Sequence, residues 1–339
     1  MIPDITLATW QILVIKLLAI LTIVPVGALA GGYAEHKVMA HLQHRLGPMY
    51  PGGFHGWATT LADGLKFLYK EDIIPKAADK PVFSLAPAAI FVPVVMIYLV
   101  IPMDRTLIVE DLDVGIFYLL AVGSVSTIGV LMAGWSSANK YALIGALRSA
   151  AQLIAYELPI VLAAASVAML AGSLSIIQIV EAQDVPFALW PPGIGLVAFL
   201  LFTTGAVAEM TRVPFDMPVA ESEIITGPFT EYSGMRYIFA HMFAEMGHMV
   251  AFAGIAATLF LGGYKSPIPW GPLEAVPGII WFFAKTFFMI FLFLWIRPTF
   301  PRAREDQLQK FAWKFMIPLG LALILATGAW VLYAPESIR

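Results

Sequence analysis

The sequence predicts an all-α integral membrane protein of about eight transmembrane helices, with an amphipathic interfacial helix in the first loop, forming one membrane domain over residues 1–339. Composition is the first reason. Of 339 residues, 60% are hydrophobic and 13% charged, against about 25% charged in ordinary soluble domains, and the mean hydropathy is +0.82. Periodicity is the second. Apolar runs bounded by charges or by Pro and Gly fall near 11–32, 82–102, 114–134, 149–171, 193–211, 237–262, 277–296 and 315–333, each near the roughly 20 residues needed to cross a ~30 Å hydrocarbon core. Charge asymmetry is the third. The loops 33–81, 135–148, 212–236 and 297–314 hold fifteen of the twenty basic residues, while the opposite side has Arg105, Lys265 and Arg339. The positive-inside rule therefore turns these loops toward the cytoplasm or an organelle's matrix, with both termini on the other side.

The first apolar run has no Lys or Arg before it and is too long for a cleaved signal, so it is expected to remain as a helix. A net charge of -3 and the absence of any basic domain argue against nucleic-acid binding. There is no Cys, which excludes disulfides, thiolate catalysis, Cys-held iron–sulfur clusters and Cys-type zinc sites within this chain. No fixed-period repeat is visible.

The basic loops carry the specialised segments. In 56–70, GWATTLADGLKFLYK, one helical face takes Trp57, Leu61, Leu65 and Leu68 and another takes Asp63, Lys66 and Lys70, the pattern of a helix lying in the membrane interface. Its apolar face serves either as a plain anchor or as a wall for the entrance of a lipid-soluble molecule.

Ionisable groups also fall inside predicted spans, where each is costly unless it faces protein or water. Counting from the nearest basic-side charge at about 1.5 Å per residue sets Glu209 at ~4–5 Å, His241 at ~7–8 Å, Glu157 and Glu245 at ~13–14 Å, and His248 and Lys285 at ~18 Å. This ladder reads as helix-pairing polar contacts or as a proton relay, and the relay fits better because a carboxyl kept from water titrates nearer neutrality. His241, Glu245 and His248 share a helical face at a spacing that could hold a metal, with an interhelical hydrogen-bonded cluster as the simpler reading. Lys16 is expected to snorkel. Between 205 and 248, Glu209, Asp216, Glu221, Glu223, Glu231 and Glu245 face only Arg212 and Arg236 as basic partners. Pro214 and Pro218 break the helix there, so this segment reads either as a solvated acidic loop or, the better fit, as irregular backbone lining a cavity. Arg297, Arg302 and Arg304 cluster beside two prolines in the last basic loop, either as an ordinary positive-inside group or as a docking face or tunnel wall.

Six segments in order resemble the H subunits of the proton-pumping NADH:quinone oxidoreductases, respiratory complex I. They are RLGP (45–48), LADGLKFLYKEDIIP (61–75), NKYALIGALRSAAQLIAYELP (139–159), AEMTRVPFDMPVAESEI (208–224), TEYSGM (230–235) and FLWIRPTFPRAREDQL (293–308). The resemblance covers essentially the whole chain. It implies a subunit without the catalytic redox centre that supplies most of the membrane part of a quinone tunnel, with quinone as bound substrate and no metal, flavin or iron–sulfur cluster of its own. It implies partners in the peripheral arm, in small neighbouring membrane subunits and in antiporter-like subunits, besides lipids, and a place in the bacterial plasma membrane or the mitochondrial inner membrane. Carried over by motif, Arg45, Asp63, Lys66, Phe215, Arg297, Arg302 and Arg304 fall to the tunnel. Arg148, Glu157, Glu209, Arg212, Asp216, Glu221, Glu223, Glu231, Glu245 and Lys285 fall to charge and proton coupling.

The chain departs from the family pattern in Val219, where many relatives have Glu, in His36, commonly Arg, and in GPMYPGG (47–53). These changes bear on the tunnel mouth and on which quinone it favours. A related membrane-bound hydrogenase subunit is the nearest alternative, disfavoured by RVPFDMP (212–218). A stand-alone proton-coupled transporter with midplane acids is a third.

Overall fold

The computed structural model describes residues 9–333 except 192, 220, 268–272 and 274, and the side chains of 9, 10, 12, 13, 15, 221 and 222 are likewise outside the description. Arg339 and both chain ends, on which the expected orientation of the termini bears, therefore lie outside the described residues, as does the side chain of Glu221. The described chain is helical throughout its long elements. Helix α1 spans Thr9–Leu42, α2 Thr59–Tyr69, α3 Lys80–Ile97, α4 Gly115–Ser136, α5 Lys140–Ala171, α6 Ile176–Ala182 and α7 Ile194–Glu209. After an irregular acidic loop come α8 at Gly234–Phe260, α9 at Gly278–Thr299 and α10 at Glu305–Tyr333.

Seven of these helices are long and apolar enough to cross a membrane, and α7 is shorter. Its 16 residues reach about 24 Å, where the sequence predicts an eighth full crossing. The segment before α7 is irregular. Residues 183–190 are held as irregular backbone on the end of α8, with Ala188 N donating to Phe260 O at 2.9 Å and Gln183 Nε2 to Thr258 O at 2.8 Å. Backbone satisfied in this way can lie at membrane depth without being helical.

Of the remaining expected spans, the helices of 149–171 and 315–333 begin earlier, at Lys140 and Glu305, the others shift by about five residues or fewer, and α1 extends furthest beyond its expected end. A stripe of Ile20, Val24, Ala28, Gly31 and Glu35 is buried along it, while Leu17, Leu18, Leu21 and Val26 are exposed as a lipid-facing side. The helix runs ten residues past the expected end at 32, carrying Glu35 into the interior.

Small residues set the helix spacing. A Cβ on Gly129 would stand 2.6 Å from Ile90, and one on Gly134 2.3 Å from Ala146, so α3 packs closely on α4 and α4 on α5. Gln152 lies beside Ala208 and Ile160 beside Gly205, so α7 runs antiparallel to α5. Gly27 faces Val250, and Gly31 faces Met249 and Met246, making α1 antiparallel to α8. Helix ends follow local chemistry: Asn139 caps α5 through Tyr141 N, and Gly172, at φ 67°, stops it in the left-handed region. Helix α2 keeps Leu61, Leu65 and Leu68 exposed, as an interfacial helix does when the bilayer supplies its apolar partner.

Candidate functional site: a buried arginine between two carboxylates

Pro214 prevents α7 from continuing, and Thr211, at φ 53°, turns the chain so that the next side chain points inward. That side chain is Arg212, 2% exposed. Its Nη2 donates to Glu35 Oε2 at 2.9 Å, and its Nε lies 3.0 Å from Glu245 Oε1, an ion pair without the angle of a hydrogen bond. The rest of the guanidinium faces sulfur, with Met249 Sδ and Met246 Sδ each at 3.3 Å. Arg297 at the end of α9 pairs with the other oxygen of Glu35. His241 Nε2 stands 3.9 Å from Glu245 Oε2 and belongs to a π-helical stretch, Ile238–Met242, within α8, a deviation often found where a helix places functional groups. Two arginines, two carboxylates and a histidine from α1, α8, α9 and the acidic loop thus converge, and opposite charges within ~3 Å offset the cost of their burial.

Two cavities meet at this cluster. The larger, about 620 Å³, is lined by Thr211, Arg212, Val213, Asp216, Val219, His241, Glu245, Arg297 and Arg302. The smaller, about 230 Å³, lies among α1, α2 and α8, with Gly32, Glu35, His36, Thr60, Asp63, Met242, Phe243, Met246, Glu245 and Arg297 on its walls. Glu245 and Arg297 are common to both, so the charge cluster forms a shared wall between the cavity beside the interfacial helix α2 and the cavity beside the acidic loop. Val219, where the family pattern has Glu, is on the wall of the larger cavity, and His36 is on the wall of the smaller.

A third cavity, about 510 Å³, opens at the basic side among Arg148, Met217, Glu223, Arg302, Arg304, Glu305 and Asp306. Arg148 holds Glu223 at 2.7 Å and Glu305 at 3.4 Å. Arg302 adds a contact to Glu223 at 3.8 Å. The hydrogen bond from Arg148, helped by the charge of Arg302, pulls the Glu223 carboxyl below the usual carboxylate range. A fourth, about 20 Å³ and large enough for a water, holds Glu157 and Glu209 beside Gly123 and Ser124. Glu209 Oε2 is buried there with no hydrogen-bond partner. The ladder by residue count sets Glu157 level with Glu245 and well below Glu209. In the fold Glu157 shares a cavity with Glu209, because antiparallel α5 and α7 face each other, while Glu245 is taken by Arg212.

Arg304 lines the third cavity, and the other expected site residues stand apart from these walls. Arg45 is exposed on Gln43, and Lys66 is on the surface, paired with Asp63 at 3.1 Å. Phe215 packs its ring on Tyr156 at 5.3 Å and Phe311 at 6.5 Å, and Arg304 pairs with Asp306 at 3.5 Å. Glu231 accepts from Asn139 Nδ2 at 2.6 Å. Lys285 donates to the carbonyls of Gly263 at 2.9 Å and Lys265 at 2.6 Å, away from the acids. His248 packs on Phe252, and among the described residues no group of three or more His, Asp or Glu could hold a metal ion.

Sequence reasoning misses Glu35, which lies beyond the expected end of the first span and so reads as a loop residue. Its place on the stripe Ile20, Val24, Ala28, Gly31 is the available signal. It also misses Gln152, 1% exposed, which donates to the carbonyls of Ala208 and Phe215 at 2.7 Å each and fixes the acidic loop to the end of α7. Nothing in the local pattern separates this Gln from a lipid-facing one.

A multi-pass helical membrane protein with an interfacial helix and buried ion pairs between two cavities is the class these features define. Comparison with known proteins gives the family. The family model for NADH dehydrogenase matches residues 15–328. The chain is 45% identical over 318 residues to the NADH-quinone oxidoreductase H subunit of Bacillus cytotoxicus, covering 93% of this chain and 91% of that one. It is 47% identical to the H subunit of Geobacillus kaustophilus, with 88% and 89% covered, and 44% identical to that of Dehalococcoides mccartyi, with 96% and 89% covered. The chain belongs to the NADH dehydrogenase family of membrane subunits, alongside the H subunits of NADH-quinone oxidoreductase.

Proposed function

We propose that this chain is the complex I membrane subunit through which quinone reaches its reduction site, and that it passes the charge of that reduction to groups inside the membrane. The observation that carries this reading is the shared wall of the two cavities at Glu245 and Arg297. Helix α2 offers apolar side chains to the bilayer at one end of the path. Met242, Phe243 and Met246 suit an isoprenoid chain, since thioethers and rings adapt to irregular apolar ligands. Arginines and His241 follow, able to donate hydrogen bonds to a quinone carbonyl. Electrons come from other subunits, in keeping with a chain that has no Cys.

Quinone takes up two electrons and two protons to become quinol. Withdrawing protons beside Asp216, Glu245 and the pairs of Arg212 changes the local charge, and closely spaced ion pairs respond by changing partners. Arg212, held between Glu35 and Glu245, is the group best placed to transmit such a change. Glu209 and Glu157 lie next along α7 and α5, in a cavity with room for water.

Gly32 tests the tunnel. A Cβ there would approach Thr60 Cγ2 to 3.2 Å, where α1 meets α2. In the assembled complex, Gly32→Phe is expected to lower kcat/KM for a long-chain quinone by about tenfold or more, equivalent to about 1.4 kcal/mol of barrier. Electron transfer from NADH to ferricyanide should stay intact. Unchanged kcat/KM in a fully assembled variant would remove the tunnel reading.

A further inference from the structure

The acids line cavities toward the basic side, and on their other side the packing is aromatic. From Glu209, Phe202 lies seven residues along α7, about 10 Å toward the opposite face. It is fully buried and meets Phe252 of α8 at 6.3 Å and Phe260 at 5.3 Å. Phe199, one turn further along α7, meets Phe260 at 5.7 Å. These four rings fill the space between α7 and α8.

Beyond the rings is a second layer of different chemistry. Helix α8 ends at Phe260, and its terminal carbonyls carry the negative end of the helix dipole. Gln183 Nε2 donates to Thr258 O at 2.8 Å, and Lys285 Nζ, on a residue 9% exposed, donates to Gly263 O and Lys265 O. Lys265 Nζ in turn donates to Glu181 O at 2.6 Å and Gln183 O at 3.1 Å. The carbonyls of Thr258, Gly263 and Lys265 are each taken by a side-chain donor, the buried hydroxyls of Tyr264 and Thr286 have no partner, and the Lys285 ammonium stands where a proton would have to pass. A dry constriction backed by fixed positive charge is a barrier to proton passage.

We propose that the Glu157–Glu209 chamber is closed toward the face opposite the basic loops by this two-layer seal, the four phenylalanines backed by Lys285. Charge received from the basic side then does not cross this subunit to the opposite face. The inference rests on the coupling reading for the source of the charge, but the seal is a property of the packing alone.

The test uses the intact complex in proteoliposomes, with a pH dye inside, an imposed potassium diffusion potential, and neither NADH nor quinone. Phe202→Asn is expected to raise the passive proton leak by about tenfold, the factor given by about 1.4 kcal/mol of barrier. Phe202→Leu, apolar and bulky, should stay as tight as the parent. Adding Glu209→Gln to Phe202→Asn should abolish the extra leak, which general loosening of the fold would not do. Lys285→Met should leak and Lys285→Arg should not. If Phe202→Asn prevents assembly, Phe199→Asn takes its place. An assembled Asn variant no leakier than the parent overturns the seal, and so does a leak that persists in the double variant. Failure of the coupling reading would look different: Glu157→Gln complexes would pump normally while the leak pattern held.

Discussion

Arg212 and Glu245 form a pair whose energetics can be tested directly. Their side chains are 2% and 18% exposed and their charges 3.0 Å apart, so at an effective dielectric of about 20 the attraction is about 5 to 6 kcal/mol before desolvation is subtracted. Arg212→Gln strands Glu245, whose remaining ionisable neighbour at this pair is His241 at 3.9 Å. Glu35 keeps Arg297. Stranding a buried charge costs roughly 3–5 kcal/mol. Glu245→Gln is milder, because Arg212 retains Glu35 at 2.9 Å, and about 1–3 kcal/mol is expected. In the double variant an amide faces an amide and no carboxylate is stranded at this pair, so a favourable coupling of about 2–3 kcal/mol should appear. Thermal inactivation of the intact complex, followed by NADH:quinone activity, should rank the double variant above Arg212→Gln alone. If the two losses instead add to within about 0.5 kcal/mol, the two side chains do not face each other in the assembled protein and the charge cluster is not as described.

Glu157→Ala and Glu245→Gln are each expected to impair pumping-coupled quinone reduction while NADH oxidation by an artificial acceptor is kept. Unchanged turnover and proton uptake in both would remove the acids from the coupling path. The Arg148–Glu223 pair has a defined pH window. Its carboxyl is held below the ordinary value of 4.5, so its stabilisation is full above that value and is lost as the pH falls through the depressed one. An infrared titration of labelled Glu should find Glu223 ionised at pH 5 and its midpoint moved upward in Arg148→Met; an unmoved midpoint would refute the pairing. Gly145 fixes the acidic loop to α5, since a Cβ there would lie 2.7 Å from Gly227 Cα and 2.9 Å from Pro228 Cδ. Gly145→Val should cost about 1–3 kcal/mol of overpacking and lower the quinone kcat/KM, and a variant with parental thermal stability and kinetics would show the contact to be slack.

Residue order alone is enough to establish that the chain is a helical membrane protein, which side is basic, and where the interfacial helix lies. Those properties follow from hydropathy summed over about 20 residues and from residue types three or four apart, both local quantities. Arg212, Glu245, Arg297 and Arg302 stand out as well, because charges inside apolar runs or beside prolines are conspicuous. Partners emerge only when the helices pack. Glu35 and Arg212 are paired across 177 positions, and Gln152 reaches two carbonyls more than 50 positions away. Residue counting assigns the acids a depth but no direction around the helix axis. Antiparallel packing of α7 on α5 joins Glu209 to Glu157, and that of α1 on α8 brings Glu35 to the charge cluster. Lys285 reads in the sequence as another rung of the proton ladder, yet the turn after α8 sets two carbonyls before its ammonium group. Hydrophobicity acts on each segment separately, whereas a buried charge settles only where several segments together satisfy it.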